Sequence, residues 1–387
     1  MFSHRLPGLE PNALTGAVAR AKASGARLYD LTETNPTAVG LAYPDLSDVL
    51  SHPAVASYRP EALGHAAARE QVAAAFAARG AALPASRCLL TASTSEAYSF
   101  LFKLLCDPGD EVLVPQPSYP LFDLLTRLEA VTPVAYRLDP HGAWCLDRGT
   151  LTSAATGRTR AILIVSPNNP TGSMLRLGDR EWLVAFARAR GLAIVADEVF
   201  FDYPFAPPAD AVSLAGEARV LTFALGGLSK SAGLPQMKLA WIGVSGPDAD
   251  VDAAMRRLEV IADTYLSVST PVQVSAGALM RAGETIRAAI AARTARNLAA
   301  LADWARAHPA AGLIVPDGGW SAAVRVPAIL SEEQLVLRLL EEDAVLVHPG
   351  YFFDFDRGAH VVCSLLPSPD VFDAGLARLG RRLGEMT

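Results

Sequence analysis

With 387 residues, 51% of them hydrophobic and 19% charged, the chain carries enough apolar material for one large core and a second, smaller one. Its net charge of −6 and the lack of any dense Lys/Arg block argue against nucleic acid, and no apolar run approaches the length that spans a bilayer. Cys88, Cys106, Cys145 and Cys363 are too scattered to frame disulfides or a metal site, and residues 1–7 lack the layout of a secretory signal, so the chain reads as a cytoplasmic protein with reduced thiols and no metal.

Residues 11–23 read as a helix, and 27–31 as a strand feeding the polar turn Thr32-Glu33-Thr34-Asn35-Pro36-Thr37. An Ala-rich helix follows at 66–79. A short strand at 88–90 runs into Thr91-Ala92-Ser93-Thr94-Ser95-Glu96, where small hydroxyl residues ahead of Glu mark the start of a helix that continues to Leu105. Strands at 111–115, 159–165 and 192–196 alternate with helices at 120–128 and 180–190. Two further apolar strands, 220–225 and 239–244, flank the small-residue loop that contains Lys230. This alternation predicts an α/β protein: three layers around a mostly parallel sheet. Beyond Pro271 the pattern changes to a long helix over 273–307 with Gly283 as a candidate break, short strands, and helices at 332–342 and 369–382. The expected division is a large α/β domain over 46–275 and a smaller α+β domain built from 1–45 plus 276–387.

The polar segments 91–96, 166–172, Asp197 and 226–230 all fall just beyond the carboxyl ends of predicted strands, where open α/β sheets bind ligands. Each residue also has an ordinary structural explanation. Lys230 could point to solvent from a plain loop; an interior amine, however, loses its proton more easily and becomes a nucleophile able to form a Schiff base. Ser93, Thr94 and Ser95 make either a simple N-cap or a phosphate cradle. Asp197 at a buried strand end needs a cationic partner or several hydrogen bonds. Asn168-Asn169-Pro170-Thr171-Gly172 has turn composition yet aims Asn169 at the same edge. Tyr119 offers a flat face, to core or to a ring. One molecule would engage all of them: pyridoxal 5′-phosphate, with its aldehyde, phosphate and protonated ring nitrogen.

The motif Ser166-Pro167-Asn168-Asn169-Pro170-Thr171-Gly172, the pair Asp197-Glu198, and Leu228-Ser229-Lys230 with Lys238 eight residues on resemble the class I/II aminotransferases, which are fold-type-I pyridoxal-phosphate enzymes. The resemblance covers nearly the whole chain. It implies that Lys230 carries the cofactor, that Asp197 pairs with the ring nitrogen and that Asn169 approaches the ring hydroxyl. Tyr119 would stack on the ring, and Ser93, Thr94, Ser95 and Lys238 would hold the phosphate. It further implies a homodimer in which Tyr58 is lent to the partner's phosphate site, and a substrate held by Asn35 and Asn169. Three positions depart from the family pattern. Ser93 stands where Gly is usual, which a negative φ would tolerate. Phe200 replaces a Tyr that touches the ring hydroxyl. Val362 replaces the Arg that grips the substrate carboxylate, with Arg325 and Arg357 as candidate substitutes.

The expected activity is transfer of an amino group between an amino acid, apolar or aromatic, and a 2-oxo acid, both small molecules. The alternatives are a pyridoxal-phosphate lyase such as a β-lyase, a transaminase for amines without an α-carboxylate, and a binding protein that kept the fold without the chemistry.

Overall fold

A computed structural model describes residues 2–386 apart from positions 7, 9, 26 and 141. In chain order its strands are β1 (Tyr29–Asp30), β2 (Cys88–Thr91), β3 (Glu111–Gln116), β4 (Thr132–Pro140), β5 (Trp144–Leu146), β6 (Thr159–Val165) and β7 (Ala193–Asp197). They continue as β8 (Thr222–Gly227), β9 (Ala240–Ser245), β10 (Gly312–Leu313), β11 (Ser321–Val326), β12 (Val345–Leu346), β13 (His348–Pro349) and β14 (Ala359–Ser364). Eight of them form one sheet in the order β2-β9-β8-β7-β6-β3-β4-β5. The run from β8 to β4 is parallel, while β9 and β5 pair antiparallel with their neighbours.

The continuous apolar runs are explained by burial on both faces. Leu163, Val195, Phe223 and Ile242 pack beneath the helices Thr94–Leu105 and Asp248–Tyr265, while Ile162, Ile164, Ile194 and Ala196 meet the helix Leu177–Arg190 on the other side. A second, antiparallel sheet has the order β10-β11-β14-β13. Its buried face shares one cluster with Leu14, Ala17 and Leu31 from the N-terminal segment and with Phe372, Leu376 and Leu379 from the C-terminal helix Pro369–Met386. The short β1 is fixed there by parallel pairing with β12. Among the described residues no helix is long and apolar enough to cross a membrane.

The long helix expected to break at Gly283 runs unbroken over Ala276–Ala307, with its discontinuity at Ser275, after the short helix Thr270–Val274. Gly283 serves packing instead. A Cβ there would lie 2.3 Å from the Cβ of Ala232, in the segment that follows Lys230. The helix therefore approaches the lysine loop as closely as backbone allows, and a methyl group would have to push one of them aside.

Gly283→Ala should cost about 1–3 kcal/mol by overpacking, read as a lower denaturant midpoint. The control is Gly384 in the C-terminal helix, where an added methyl group would meet nothing within 4 Å. Gly384→Ala should be stabilising by about 0.5–1 kcal/mol, the helix propensity difference; equal effects at the two sites would contradict the packing account.

Candidate active site

The centre of the large sheet brings three strand ends level. Val165 of β6 lies beside Asp197 of β7, which lies beside Leu225 of β8. Two residues further along β8, Gly227 pairs with Ala240 of β9, itself opposite Thr91 of β2. The segments after Thr91, Val165, Asp197 and Gly227 thus leave the sheet along one edge. Glycine at 226 is required by the neighbouring strand: a Cβ would fall 2.4 Å from the indole nitrogen of Trp241.

Lys230 does not sit in an open loop. Gly227 is followed at once by a single helical turn, Leu228–Ser231, and Ser231 Oγ donates back to the Gly227 carbonyl at 2.9 Å. The turn carries the amine under two aromatic rings, 4.6 Å from the centre of Trp320 and 5.5 Å from that of Phe200. Burial pushes the Lys230 amine down to about 8, and the charge of Asp197 partly opposes that shift. Below that value the ring faces stabilise the ammonium; above it the amine is free to act as a base or nucleophile.

Asp197 is 8% exposed, and burial raises its carboxyl above the ordinary range. Three influences pull the other way: the Val199 N–H donating to Oδ1 at 3.2 Å, the Tyr98 hydroxyl donating to Oδ2 at 3.0 Å, and the charge of Lys230. Its neighbour Glu198 is turned the opposite way, accepting from Ser213 Oγ and the Leu214 N–H, and anchors the following chain. Asp197 alone of the two faces the lysine.

Asn169 is half-buried, and its Oδ1 is enclosed without a hydrogen-bond partner. The preceding Asn168 is structural: its amide donates to the Pro117 carbonyl and to Thr171 Oγ1, and accepts from Ser118 Oγ. That knot ties the Asn-Asn-Pro-Thr-Gly turn to the segment bearing Tyr119, which is 40% exposed and sits edge-on to Phe122. Ser93 caps the helix Thr94–Leu105 by accepting from the Glu96 N–H, with φ −161°, extended backbone that a residue other than glycine adopts readily. Thr94 and Ser95 occupy the first turn, whose N–H groups have no intrahelical acceptor. Lys238 is exposed, just ahead of β9 and on the same side of the sheet.

Two expected residues lie at the surface of the chain. Asn35 is exposed, its N–H is donated to Glu33 and its Oδ1 accepts from both the N–H and hydroxyl of Thr37, so its turn is already satisfied internally. Tyr58 is 78% exposed on a segment facing outward beside Leu266 and Phe100, not toward Lys230 of its own chain. Val362, opposite Ala323 in the small sheet, packs with Phe353 in a wholly apolar cluster. Arg325 and Arg357 do not fill its place. They line a cavity of 460 Å³ under the β4–β5 hairpin, Arg325 lying against Gly312 and Gly358 at the end of the small sheet remote from Ser364, Arg357 at 3.9 Å from Asp139.

Three contributors lie outside the site residues read from the sequence. Trp320 stands over the lysine and meets Phe200 edge-on at 5.4 Å. Tyr203 donates its hydroxyl to the Lys230 carbonyl at 2.6 Å, fixing the turn's backbone. Tyr98 is the third; the signal for it was a lone hydroxyl on the buried stripe Ala97, Phe100, Leu101, because such a group needs a partner. Among the described residues no cluster of metal-ligating side chains exists.

The family model for aminotransferase class I and II matches residues 23–364. Among curated proteins, alanine aminotransferase of Mycobacterium tuberculosis is 28% identical, covering 94% of this chain and 87% of its own length. The glutamate–pyruvate aminotransferase AlaA of Escherichia coli is 27% identical, covering 94% and 92%. A crystal structure of an aminotransferase from Escherichia coli superposes with a TM-score of 0.88 at 26% identity over 99% of this chain and 98% of that one. Alanine aminotransferase from Pyrococcus furiosus gives 0.90 at 21% identity over the full length of both, a likeness of fold.

In the cofactor-free protein, the Lys230 ε-carbon resonance should titrate near 8, well below ordinary lysines, when followed by 13C NMR. Asp197→Asn removes the negative charge that supports the ammonium, so the midpoint should move lower still. An upward move would show that the two groups do not sense one another.

Proposed function

Because the chain belongs to the class I and II aminotransferase family, we propose that it moves an amino group between an apolar or aromatic amino acid and a 2-oxo acid. Family members depend on pyridoxal 5′-phosphate, and the residues here fit it. The enclosed, unpartnered Oδ1 of Asn169 marks an amide with unused bonding capacity, and Asp197 is a carboxylate kept in an apolar edge with only two donors. The observation that carries the proposal is that this carboxylate and the buried Lys230 amine, depressed to about 8, lie close enough for each charge to act on the other.

When bound, the cofactor supplies an electron sink for the pair left by a departing proton. Lys230 would hold its aldehyde end and Asp197 its ring nitrogen. Asn169 would reach the ring hydroxyl and Tyr119 would cover one face. The first-turn N–H groups of Thr94 and Ser95, with the hydroxyl residues around them and the charge of Lys238, would receive the phosphate; Lys238 does so as a point charge, without the fork an arginine provides. Lys230 Nζ would then take and return the proton at the substrate α-carbon, a role its depressed pKa suits near neutral pH. Trp320 and Phe200 exclude water from that amine and steady it when charged.

One cluster bears on the substrate in two ways. The apolar cluster of Val362, Ala323 and Phe353 supports an apolar or aromatic side chain near the reaction. The same cluster also favours a second reading, an amine donor without an α-carboxylate, because no arginine occupies that place. A homodimer is supported by the exposed Val55, Tyr58, Val260, Tyr265 and Leu266, a set of apolar side chains that a second copy would cover while lending its Tyr58. Sedimentation velocity checks this: a lone-chain mass at working concentration removes it. Four free thiols fit a reducing, cytoplasmic setting.

Lys230→Ala should fold and lose activity by about 10³-fold or more. With the intact protein, leucine and phenylalanine should outpace glutamate as donors to pyruvate, followed by chromatography of the new amino acid. Turnover confined to carboxylate-free amines would select the second reading, and release of ammonia without a new amino acid would indicate a lyase.

A further inference from the structure

One side chain that touches Asp197 has no assigned role. Tyr98 lies in the second turn of the helix Thr94–Leu105, only 2% exposed, and its hydroxyl is 3.0 Å from Asp197 Oδ2. The Val199 N–H takes the other oxygen, so each carboxylate oxygen has a single protein donor. The phenol ring is held tightly: it is tilted against Phe102 at 5.9 Å and edge-on to Phe122 at 5.3 Å. Phe122 is in turn edge-on to Tyr119 at 6.2 Å, the ring expected to cover the cofactor. Rotating Tyr98 away from Asp197 would therefore disturb two packed rings.

We propose that Tyr98 is a positioning residue for the ring-nitrogen contact: its buried hydroxyl keeps the Asp197 carboxylate ionised and aimed. The inference rests on the assignment of Asp197 to a pyridinium partner. Its physical content is a competition for one proton. A buried carboxylate tends to take up a proton, and a hydrogen bond donated to the charged form opposes that tendency. Burial and the adjacent carboxylate raise the Tyr98 phenol, so it stays protonated and acts only as a donor to Asp197. Without it, Asp197 becomes the stronger base and draws the shared proton from the ring nitrogen, which then accepts electrons less well. The location has a second consequence. The helix whose first turn offers N–H groups to the phosphate also carries, one turn later, the hydroxyl that fixes the carboxylate, so a single rigid element sets both ends of the site.

The test is Tyr98→Phe, which keeps the ring and removes only the oxygen. With ring-15N-labelled pyridoxal 5′-phosphate bound, the wild-type nitrogen should resonate as a pyridinium and the variant's should move toward neutral pyridine. kcat should fall about tenfold with KM changed less than about twofold, since the contact matters to charge development and not to substrate binding. In the cofactor-free proteins, the 13C carboxyl titration of Asp197 should shift upward by about one unit, the usual worth of a hydrogen bond to a charged group. An unmoved 15N signal together with an unmoved Asp197 titration overturns the proposal, whatever happens to the rate. Should the variant fail to load cofactor, the carboxyl titration alone decides. If instead the wild type takes up no cofactor, the pyridoxal-phosphate reading fails, and the same titration still reports whether Tyr98 governs Asp197.

Discussion

Two opposite charges are held at the apolar edge of the large sheet, and neither is comfortable there alone. An isolated buried carboxylate or ammonium is costly enough that it would shed its charge. Lys230 and Asp197 each lean toward the neutral form through burial, and each is drawn back by the other. With the amine held at about 8, most of it is charged near neutral pH and roughly a tenth is neutral, a useful condition for a group asked to carry a proton back and forth. Much of the surrounding sequence can be understood as maintaining it. Glycine at 226 admits Trp241 beside β8, the short helical turn after β8 lifts the lysine under Trp320 and Phe200, and Tyr203 and Ser231 fix the turn's backbone.

The chemistry-bearing positions were legible because the sheet converts sequence into place. Once the apolar runs at 159–165, 192–196 and 220–225 are read as parallel strands, whatever follows each of them must emerge along one edge. Asp197, Asn169 and Lys230 needed no knowledge of side-chain contacts to be grouped. The less visible parts fail for identifiable reasons. β4 and β5 bury only Tyr136 and Trp144 fully and otherwise mix partly buried and exposed residues, such as Arg137, Asp139 and Pro140, so their pattern is weak at the sheet's border. The helix Asp248–Tyr265 is acidic at its start and buries only four residues, which dilutes its apolar stripe. Gly283 misleads because a glycine inside a helix suggests a break, when its meaning lies in Ala232 on another element. Tyr98 is hidden likewise, since its partner is 99 residues away.

The departures from the family pattern act differently. Ser93 is absorbed by extended backbone and changes little. Phe200 removes a hydroxyl but joins Trp320 in enclosing the amine, exchanging a donor for two ring faces. Val362 removes a charge where the family pattern has one and packs with Ala323 and Phe353 in an apolar cluster, while Arg325 and Arg357 line a neighbouring cavity that Ala323 also lines.

The pairing of β1 with β12, and the cluster that joins Leu14, Ala17 and Leu31 to residues near the C-terminus, carries a consequence for biosynthesis. Leu14, Ala17 and Leu31 are synthesised before almost all the residues they pack against. Their partners, at positions 298–383, are made only after the whole large sheet, whose last strand in the chain is β9. The central sheet can form while the leading segment still waits, so the nascent protein must pass through a stage with an assembled middle and an unsheltered beginning, the interval in which chaperone attention would be most needed.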